Sequence, residues 1–183
     1  MIREDELNPQ NQEPHMADEL NPGLNFLSLT KSQQESFRPS PLPVLTRFEA
    51  GACVYKWTSY PLVNPKSGRI TEYWSTWDSL KVGSQVVPGF KELRARYANT
   101  GGSVGRPQEF ARSRNAVTEQ WNPMDSLLKA QFLKPVWGLV GVTAGQRKFD
   151  DPAHPTEQDN VFFIGGDYQL VIPNLTTDWI KKL

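Results

Sequence analysis

Runs of β-branched and aromatic residues, separated by a long helical stretch, constrain the fold of this chain most strongly. Two runs precede the helical stretch and two follow it, and the last one contains a glycine pair. Such runs, bounded by Gly, Pro and Asn, are typical of short strands. They lie around residues 53–58, 70–76, 136–142 and 161–172. We therefore predict an α+β domain with a split, mostly antiparallel sheet of about five to seven strands and helices on its flanks.

Helical spacing of apolar residues appears in the middle and at the end of the chain. Phe90, Leu93 and Tyr97 recur at that spacing, and a proline and an Asn-Pro pair mark later helix starts. The predicted helices cover residues 90–97, 107–121, 123–134 and 176–182.

The N-terminal residues 1–43 differ in composition from the rest. They are rich in Asn, Gln, Pro, Ser and acids and have few core-forming side chains. Such a segment buries too little apolar surface to offset the entropy of ordering. We predict a flexible acidic, Pro-rich arm over residues 1–43 and a single globular catalytic-type domain over residues 44–183.

Charge and cysteine content exclude several classes of function. The 20 Lys and Arg balance the 20 Asp and Glu, which argues against bulk attraction to nucleic acid or to an anionic membrane. Seven Lys or Arg nevertheless fall within residues 81–114. Cys53 is the single cysteine, and only two histidines are present, so we expect neither a disulfide nor a metal site. No apolar stretch has the length of a membrane span.

The last strand-like run contains the most specific pattern in the chain. Gly165 and Gly166 are followed by Asp167, Tyr168 and Gln169, and then by an apolar run that ends in Pro-Asn. The glycines allow a ligand or another backbone to come close. Gln169 is an uncharged amide among residues that favour burial. Asp167 falls on the same strand face as Gln169 by the twofold period of a strand and could supply negative charge there, although an ordinary turn residue is the favoured explanation.

This pattern resembles the last active-site strand of bacterial NAD-consuming toxins with an ADP-ribosyltransferase-like fold. It is similar in particular to the glycohydrolase group that includes the tuberculosis necrotizing toxin, in which a Gln stands where transferases carry a catalytic Glu. The resemblance covers roughly the last forty residues. It implies an ADP-ribosyltransferase-like sheet, Gln169 as the catalytic residue and NAD as the substrate, with no metal. The implied NAD-binding residues are Arg47, Lys56, Tyr73, Trp74, Ser75, Gly165 and Gly166.

The expected reaction is cleavage of the bond between nicotinamide and ribose. Its transition state is oxocarbenium-like, so an enzyme can act by holding the ribose and placing a water molecule. A Gln amide lacks the negative charge that activates a protein nucleophile. We therefore expect hydrolysis in preference to ADP-ribosyl transfer.

Two other classes of function remain open on the sequence. One is a non-catalytic protein-interaction module, and the other is a nucleic-acid-directed toxin that uses the basic segment 81–114, the less favoured of the two. The resemblance further implies a bacterial effector with a cytoplasmic site of action, exported without a cleavable apolar signal peptide. Its expected partners are a neutralising immunity protein or a secretion adaptor bound by the N-terminal arm.

Overall fold

A seven-stranded sheet organises the part of the chain that the structure describes. The structure is a computed structural model, and it describes residues 18–117, 122–147 and 162–183. The strands are β1 (Val44–Phe48), β2 (Cys53–Thr58), β3 (Tyr73–Thr76), β4 (Leu80–Val82), β5 (Gln85–Val87), β6 (Ser126–Phe132), β7 (Val136–Val142), β8 (Gln146–Arg147), β9 (Phe162–Phe163), β10 (Tyr168–Val171) and β11 (Ile180–Lys182). The helices are α1 (Lys31–Glu35), α2 (Phe90–Ala98) and α3 (Pro107–Asn115), and a 3₁₀ turn covers Phe26–Ser28.

The sheet has the strand order β1-β7-β10-β3-β2-β6-β11, and every pairing within it is antiparallel. Strand β3 joins its two halves. Tyr73 and Trp74 pair with β10, whereas Ser75 and Thr76 pair with β2. Two further ribbons, β4-β5 and β8-β9, lie outside the sheet. The prediction of an α+β fold with a mostly antiparallel sheet is confirmed.

The two faces of the sheet bury different parts of the chain. The larger core lies on one face and contains Val54, Trp74, Ala130, Val140 and Leu170 among its buried residues. On the opposite face, a second core cluster joins the N-terminal segment to the sheet. Its buried members are Leu24, Leu29, Phe37, Leu139 and Val171.

Two predicted helices are strands in the structure. The segment predicted as a helix over residues 123–134 forms β6, in which Leu128, Ala130 and Phe132 are buried at every second position. Its apolar residues fit the spacing of a helix as well as that of a strand. Pairing with β2 over six residues selects the strand. The predicted terminal helix is wrong as well, because Ile180 to Lys182 pair with β6 as an edge strand.

The predicted boundary at residue 44 is also wrong. Residues 1–17 lie outside the described residues, but the chain already packs from residue 20 onward. Leu20 forms a bridge with Val136, and Leu24, Leu29 and Phe37 are buried. Thr30 caps α1 through its hydroxyl, which accepts a hydrogen bond from the backbone N–H of Gln33. A few well-placed apolar residues therefore anchor a segment whose overall composition is polar.

The run around residues 161–172 contains two strands that pair with different partners. Strand β9 pairs with β8, and β10 enters the main sheet between β7 and β3. Residues 148–161, which connect β8 to β9, lie outside the described residues. Within the described part of the chain, the helices are too short or too polar to cross a bilayer.

Candidate functional site

A cavity of about 460 Å³ lies between the sheet and helices α2 and α3. Its size falls in the range of small-ligand sites, and its walls are mainly aromatic and apolar. We call it the Asp167 cavity, after the carboxylate in its wall. Its lining residues are Tyr55, Trp57, Phe90, Leu93, Arg94, Tyr97, Ala98, Pro107, Phe110, Ala111, Asn115 and Asp167.

The aromatic walls come from a strand and from two helices. Tyr55 and Trp57 lie two residues apart on β2, so both side chains project from the same face. Phe90, at the start of α2, packs edge-on against Tyr55, with ring centroids 4.9 Å apart. Tyr97 of α2 and Phe110 of α3 pack with centroids 5.8 Å apart. Flat rings on both sides suit a planar ligand, which aromatic side chains hold by stacking.

Asp167 is the acidic member of this wall, and its residue is only 4% exposed. Its Oδ1 accepts hydrogen bonds from Arg114 Nε at 3.1 Å and Arg114 Nη2 at 2.8 Å. Arg96 Nη1 lies 3.6 Å from the same oxygen. A buried carboxylate needs such partners because desolvation penalises its charge. The side chain is therefore held by arginines beside an aromatic cavity.

The backbone conformation of Gly165 and Gly166 positions Asp167 in the cavity wall. Gly165 and Gly166 have φ values of +62° and +95°, which side chains other than glycine rarely adopt. A Cβ on Gly165 would stand 2.6 Å from the carbonyl oxygens of Thr143 and Ala144. The N–H groups of Gly165 and Asp167 donate to the carbonyls of Ser113 and Arg114 at the end of α3. The close approach predicted for the glycines is made by backbone at Gly165, whereas at Gly166 the nearest atoms belong to the guanidinium groups of Arg38 and Arg114. The two glycines therefore position the turn, and their contact with a ligand stays a prediction.

Tyr55 places a neutral hydroxyl on the same face of the sheet as Asp167. Burial raises its pKa, a hydrogen bond with Ser75 opposes the shift, and the nearby Asp167 charge adds to it. Ser75 is the register partner of Tyr55 across β3 and β2. The phenol therefore stays protonated at neutral pH. Ser75 lies on the Asp167 face, as expected for a site residue, although it is not among the residues lining the cavity in the described part of the chain.

Gln169 lies on the same strand face as Asp167 but points to a different neighbour. Its residue is 9% exposed, and its Nε2 donates to the backbone carbonyl of Ser36 at 2.7 Å and to the Ser36 hydroxyl at 2.8 Å. An amide nitrogen has two hydrogens, so both of its donors are engaged. Among the described residues, those that line the Asp167 cavity do not include Gln169. The expectation that this amide faces the ligand is corrected: it anchors the N-terminal segment.

Trp74 and Lys56 lie on the opposite face of the sheet from Asp167. Trp74 is 2% exposed within the larger core, and its indole N–H donates to the carbonyl of Thr71 at 2.8 Å. Lys56 Nζ lies 5.5 Å from the centre of the Trp74 ring. Burial lowers the pKa of Lys56 to about 8. Since successive strand residues alternate faces, Trp74 and Ser75 cannot hold one ligand together, and the predicted pair is wrong.

Arg47 and Tyr73 have structural partners of their own. Arg47, on the edge strand β1, donates to Glu19 Oε1 at 2.9 and 2.6 Å and also contacts Glu49. Two strands separate it from β3, and it is not among the cavity residues of the described chain. Tyr73 packs against the second core cluster, and burial raises its pKa. Neither residue lines the Asp167 cavity, in contrast to the prediction.

The cations of the basic segment 81–114 fall into three groups. Arg112 is buried and donates to the carbonyls of Val117 and Pro123, so it holds a loop in place. Arg114 and Arg96 bind Asp167. The remaining cations are exposed, and Arg94 lies 5.9 Å over the ring of Phe90. The surface predicted for nucleic acid is therefore smaller than the sequence suggests.

Sequence reasoning missed Tyr55, Arg96 and Arg114. The alternation of Tyr55 and Trp57 on a predicted strand was a usable signal for a shared aromatic face. The pairing of Arg114 with Asp167 joins residues 53 positions apart, and no local pattern indicates it. Among the described residues, no cluster of His, Cys, Asp and Glu is arranged to hold a metal ion.

Comparisons with protein-family models, with curated proteins and with solved structures find no match to this chain.

Proposed function

We propose that this chain is a toxin or effector domain with an ADP-ribosyltransferase-like fold, and that it cleaves the nicotinamide–ribose bond of NAD in the Asp167 cavity. The observation that carries the proposal is the juxtaposition of a buried, arginine-paired carboxylate with an aromatic cavity of about 460 Å³. The sequence resemblance around Gly165–Gln169 motivates the choice of NAD as the substrate, although its catalytic assignment of Gln169 is not kept. The proposed reacting centre moves from Gln169 to Asp167.

The arrangement suits the chemistry of this bond. Nicotinamide leaves as a neutral ring, so its departure requires no strong acid, whereas the ribose develops positive charge in an oxocarbenium-like transition state. Asp167 offers a negative charge to that centre, in a site where low dielectric strengthens the interaction. The aromatic lining of the cavity, which includes Trp57 and Tyr97, offers ring surfaces for nicotinamide. Asn115, which also lines the cavity, offers an amide to a water molecule or a ribose hydroxyl.

Hydrolysis is favoured over transfer to a protein. Asp167 is the one carboxylate among the cavity residues of the described chain, and two arginines already bind it. No second carboxylate in that lining is therefore available to activate an incoming protein nucleophile. Water needs less activation at an oxocarbenium-like centre, because the positive carbon accepts a weak nucleophile.

The test is to incubate the purified chain with NAD and to resolve nicotinamide, ADP-ribose and modified protein. We expect nicotinamide and ADP-ribose in equal amounts, with no label on protein when adenylate-labelled NAD is used. Labelled protein in place of free ADP-ribose would change the reaction to transfer. Absence of nicotinamide release by folded protein would reject the enzyme and leave the protein-interaction module as the better account.

A further inference from the structure

Three guanidinium groups converge on the turn that carries Asp167. Arg96 Nη1 and Arg114 Nη2 lie 3.6 and 2.8 Å from Asp167 Oδ1. Arg38 Nη2 and Arg114 Nη1 lie 3.0 and 3.9 Å from the position that a Cβ on Gly166 would occupy. Arg38 also donates to the carbonyl of Ile164 at 3.2 Å. We call Arg38, Arg96 and Arg114 the arginine cluster. Its members come from three separate segments: the N-terminal segment, α2 and α3.

The arginine cluster carries more positive charge than its partner neutralises. Among the described residues, Asp167 is the carboxylate that forms ion pairs with it, so three cations face one anion. The side chains of Arg96 and Arg114 are 52% and 33% exposed, and Arg38 is exposed. A buried carboxylate can be satisfied by a single bidentate arginine. The additional, solvent-reachable guanidinium groups exceed what Asp167 requires.

The position of the surplus charge matches the Asp167 cavity. Asp167 is both the anchor of the cluster and part of the cavity wall. Arg96 lies on α2 next to Tyr97, which lines the same cavity. Planar guanidinium groups bind phosphate through paired hydrogen bonds, which makes arginine suited to this anion. A ligand with a flat ring and a phosphate group can therefore contact the aromatic walls and the cluster at once.

We infer that the arginine cluster binds the diphosphate of a nucleotide whose ring enters the Asp167 cavity, and that the phosphate takes Arg96 away from Asp167 while Arg114 keeps its two hydrogen bonds to the carboxylate. This inference deepens the proposed function and rests on it for the identity of the reaction. Asp167 competes with the ligand for the guanidinium groups of the cluster. When the phosphate is bound, Asp167 is paired with one arginine in place of two, and more of its charge is directed to the ribose. The site is then electrostatically ready only with a diphosphate-bearing ligand in place.

The test is calorimetric titration of the full chain with ADP, pyrophosphate and adenosine. We expect ADP and pyrophosphate to bind, with adenosine at least about tenfold weaker than ADP. Arg38→Gln and Arg96→Gln should each weaken ADP binding about tenfold and leave adenosine binding unchanged. The matched control is Lys91→Gln, which removes one exposed charge from α2, five positions before Arg96. It should bind ADP as the unchanged chain does.

The competition between Asp167 and the ligand predicts that removing the carboxylate strengthens ADP binding, whereas removing an arginine weakens it. Asp167→Asn should bind ADP more tightly than the unchanged chain, because it frees Arg96 and Arg114. Equal or weaker ADP binding by this variant, or unchanged binding by the Arg38 and Arg96 variants, overturns the inference. The proposed function and the inference about the arginine cluster are rejected by different results. ADP binding that depends on the cluster, without NAD cleavage, rejects only the reaction, whereas NAD cleavage that ignores the cluster rejects only the inference.

Discussion

The side-chain amide of Gln169 donates to both the carbonyl and the hydroxyl of Ser36, at 2.7 and 2.8 Å. This relationship joins β10, the strand that begins directly after Asp167, to the end of α1, 133 residues earlier in the chain. The hydroxyl of Ser36 in turn donates to the carbonyl of Gln33 at 2.7 Å. Gln169 is thus a positioning residue, and the N-terminal segment from residue 18 onward belongs to the folded unit.

Replacing Gln169 by Ala should therefore reduce stability. The change removes two hydrogen bonds to Ser36, whose carbonyl keeps only the bond from the Ala144 N–H. At about 0.5–1.5 kcal/mol for each bond, the loss in unfolding free energy should be about 1–3 kcal/mol. Chemical denaturation measures it. Gln131→Ala is the matched control, since that exposed amide makes one hydrogen bond to the Gly51 carbonyl, and it should cost less than about 0.5 kcal/mol. Equal losses in the two variants would contradict the anchoring role.

Gly165→Ala should destabilise the chain more than Gly51→Ala. Both glycines have positive φ values, so both substitutions add backbone strain. A Cβ on Gly165 would also meet two carbonyl oxygens at 2.6 Å, whereas nothing lies within 4 Å of a Cβ on Gly51. Overpacking adds about 1–3 kcal/mol to the loss at position 165. Thermal unfolding of the two variants measures the difference, and a similar loss in both would show that the turn is less tightly enclosed than the contacts indicate.

The burial of Lys56 predicts a pH-dependent difference in stability. Burial lowers its pKa to about 8 in the folded chain, against about 10.4 when unfolded. Between those values the unfolded state binds more protons, so stability rises with pH. Below pH 8 the cost of burying the cation is fully present, and Lys56→Met removes it. The advantage of this variant in melting temperature over the unchanged chain should therefore shrink as pH rises from about 7 to about 9.5.

The control for this pH series is Lys66→Met. Lys66 is exposed in the turn before β3, so its substitution should shift the melting temperature by the same amount at every pH. The raised pKa of Tyr55 is common to all variants and cancels in the differences. The account would be contradicted if the difference in melting temperature between Lys56→Met and the unchanged chain stayed constant or widened with pH. Lys56 would then not be a cation whose burial costs stability.

Local sequence patterns predict the elements whose period is unambiguous. Strands β2 and β7 and helix α2 occur where apolar alternation, a continuous apolar run and helical spacing indicate them. Strand β6 was predicted as a helix because Leu128 and Phe132 are four residues apart, a spacing that fits a helix face as well as alternate strand positions. Only the long-range pairing with β2 decides between the two. Tertiary contacts override local preference at such segments.

The sequence predicted a site beside the glycine pair, but it did not indicate which side chains meet there. Asp167, which lines the cavity, directly precedes the strand that carries Gln169. Which of Asp167 and Gln169 reaches a cavity depends on Arg114 and on Ser36, which are distant in sequence. Trp74 and Ser75 were grouped by adjacency, although adjacent strand residues face opposite sides. The errors therefore come from long-range contacts and from face assignment.

Nicotinamide release from NAD by the Asp167→Asn variant is the most direct test of the account. Asn keeps the size of the side chain and removes its charge, and Asp178→Asn, at an exposed carboxylate beside Thr176, is the matched control. We predict that the unchanged chain and the Asp178 variant release nicotinamide at the same rate. The Asp167 variant, folded by circular dichroism, should lose about 100-fold or more of that rate. Equal rates in all three proteins would contradict the assignment of Asp167 as the reacting carboxylate.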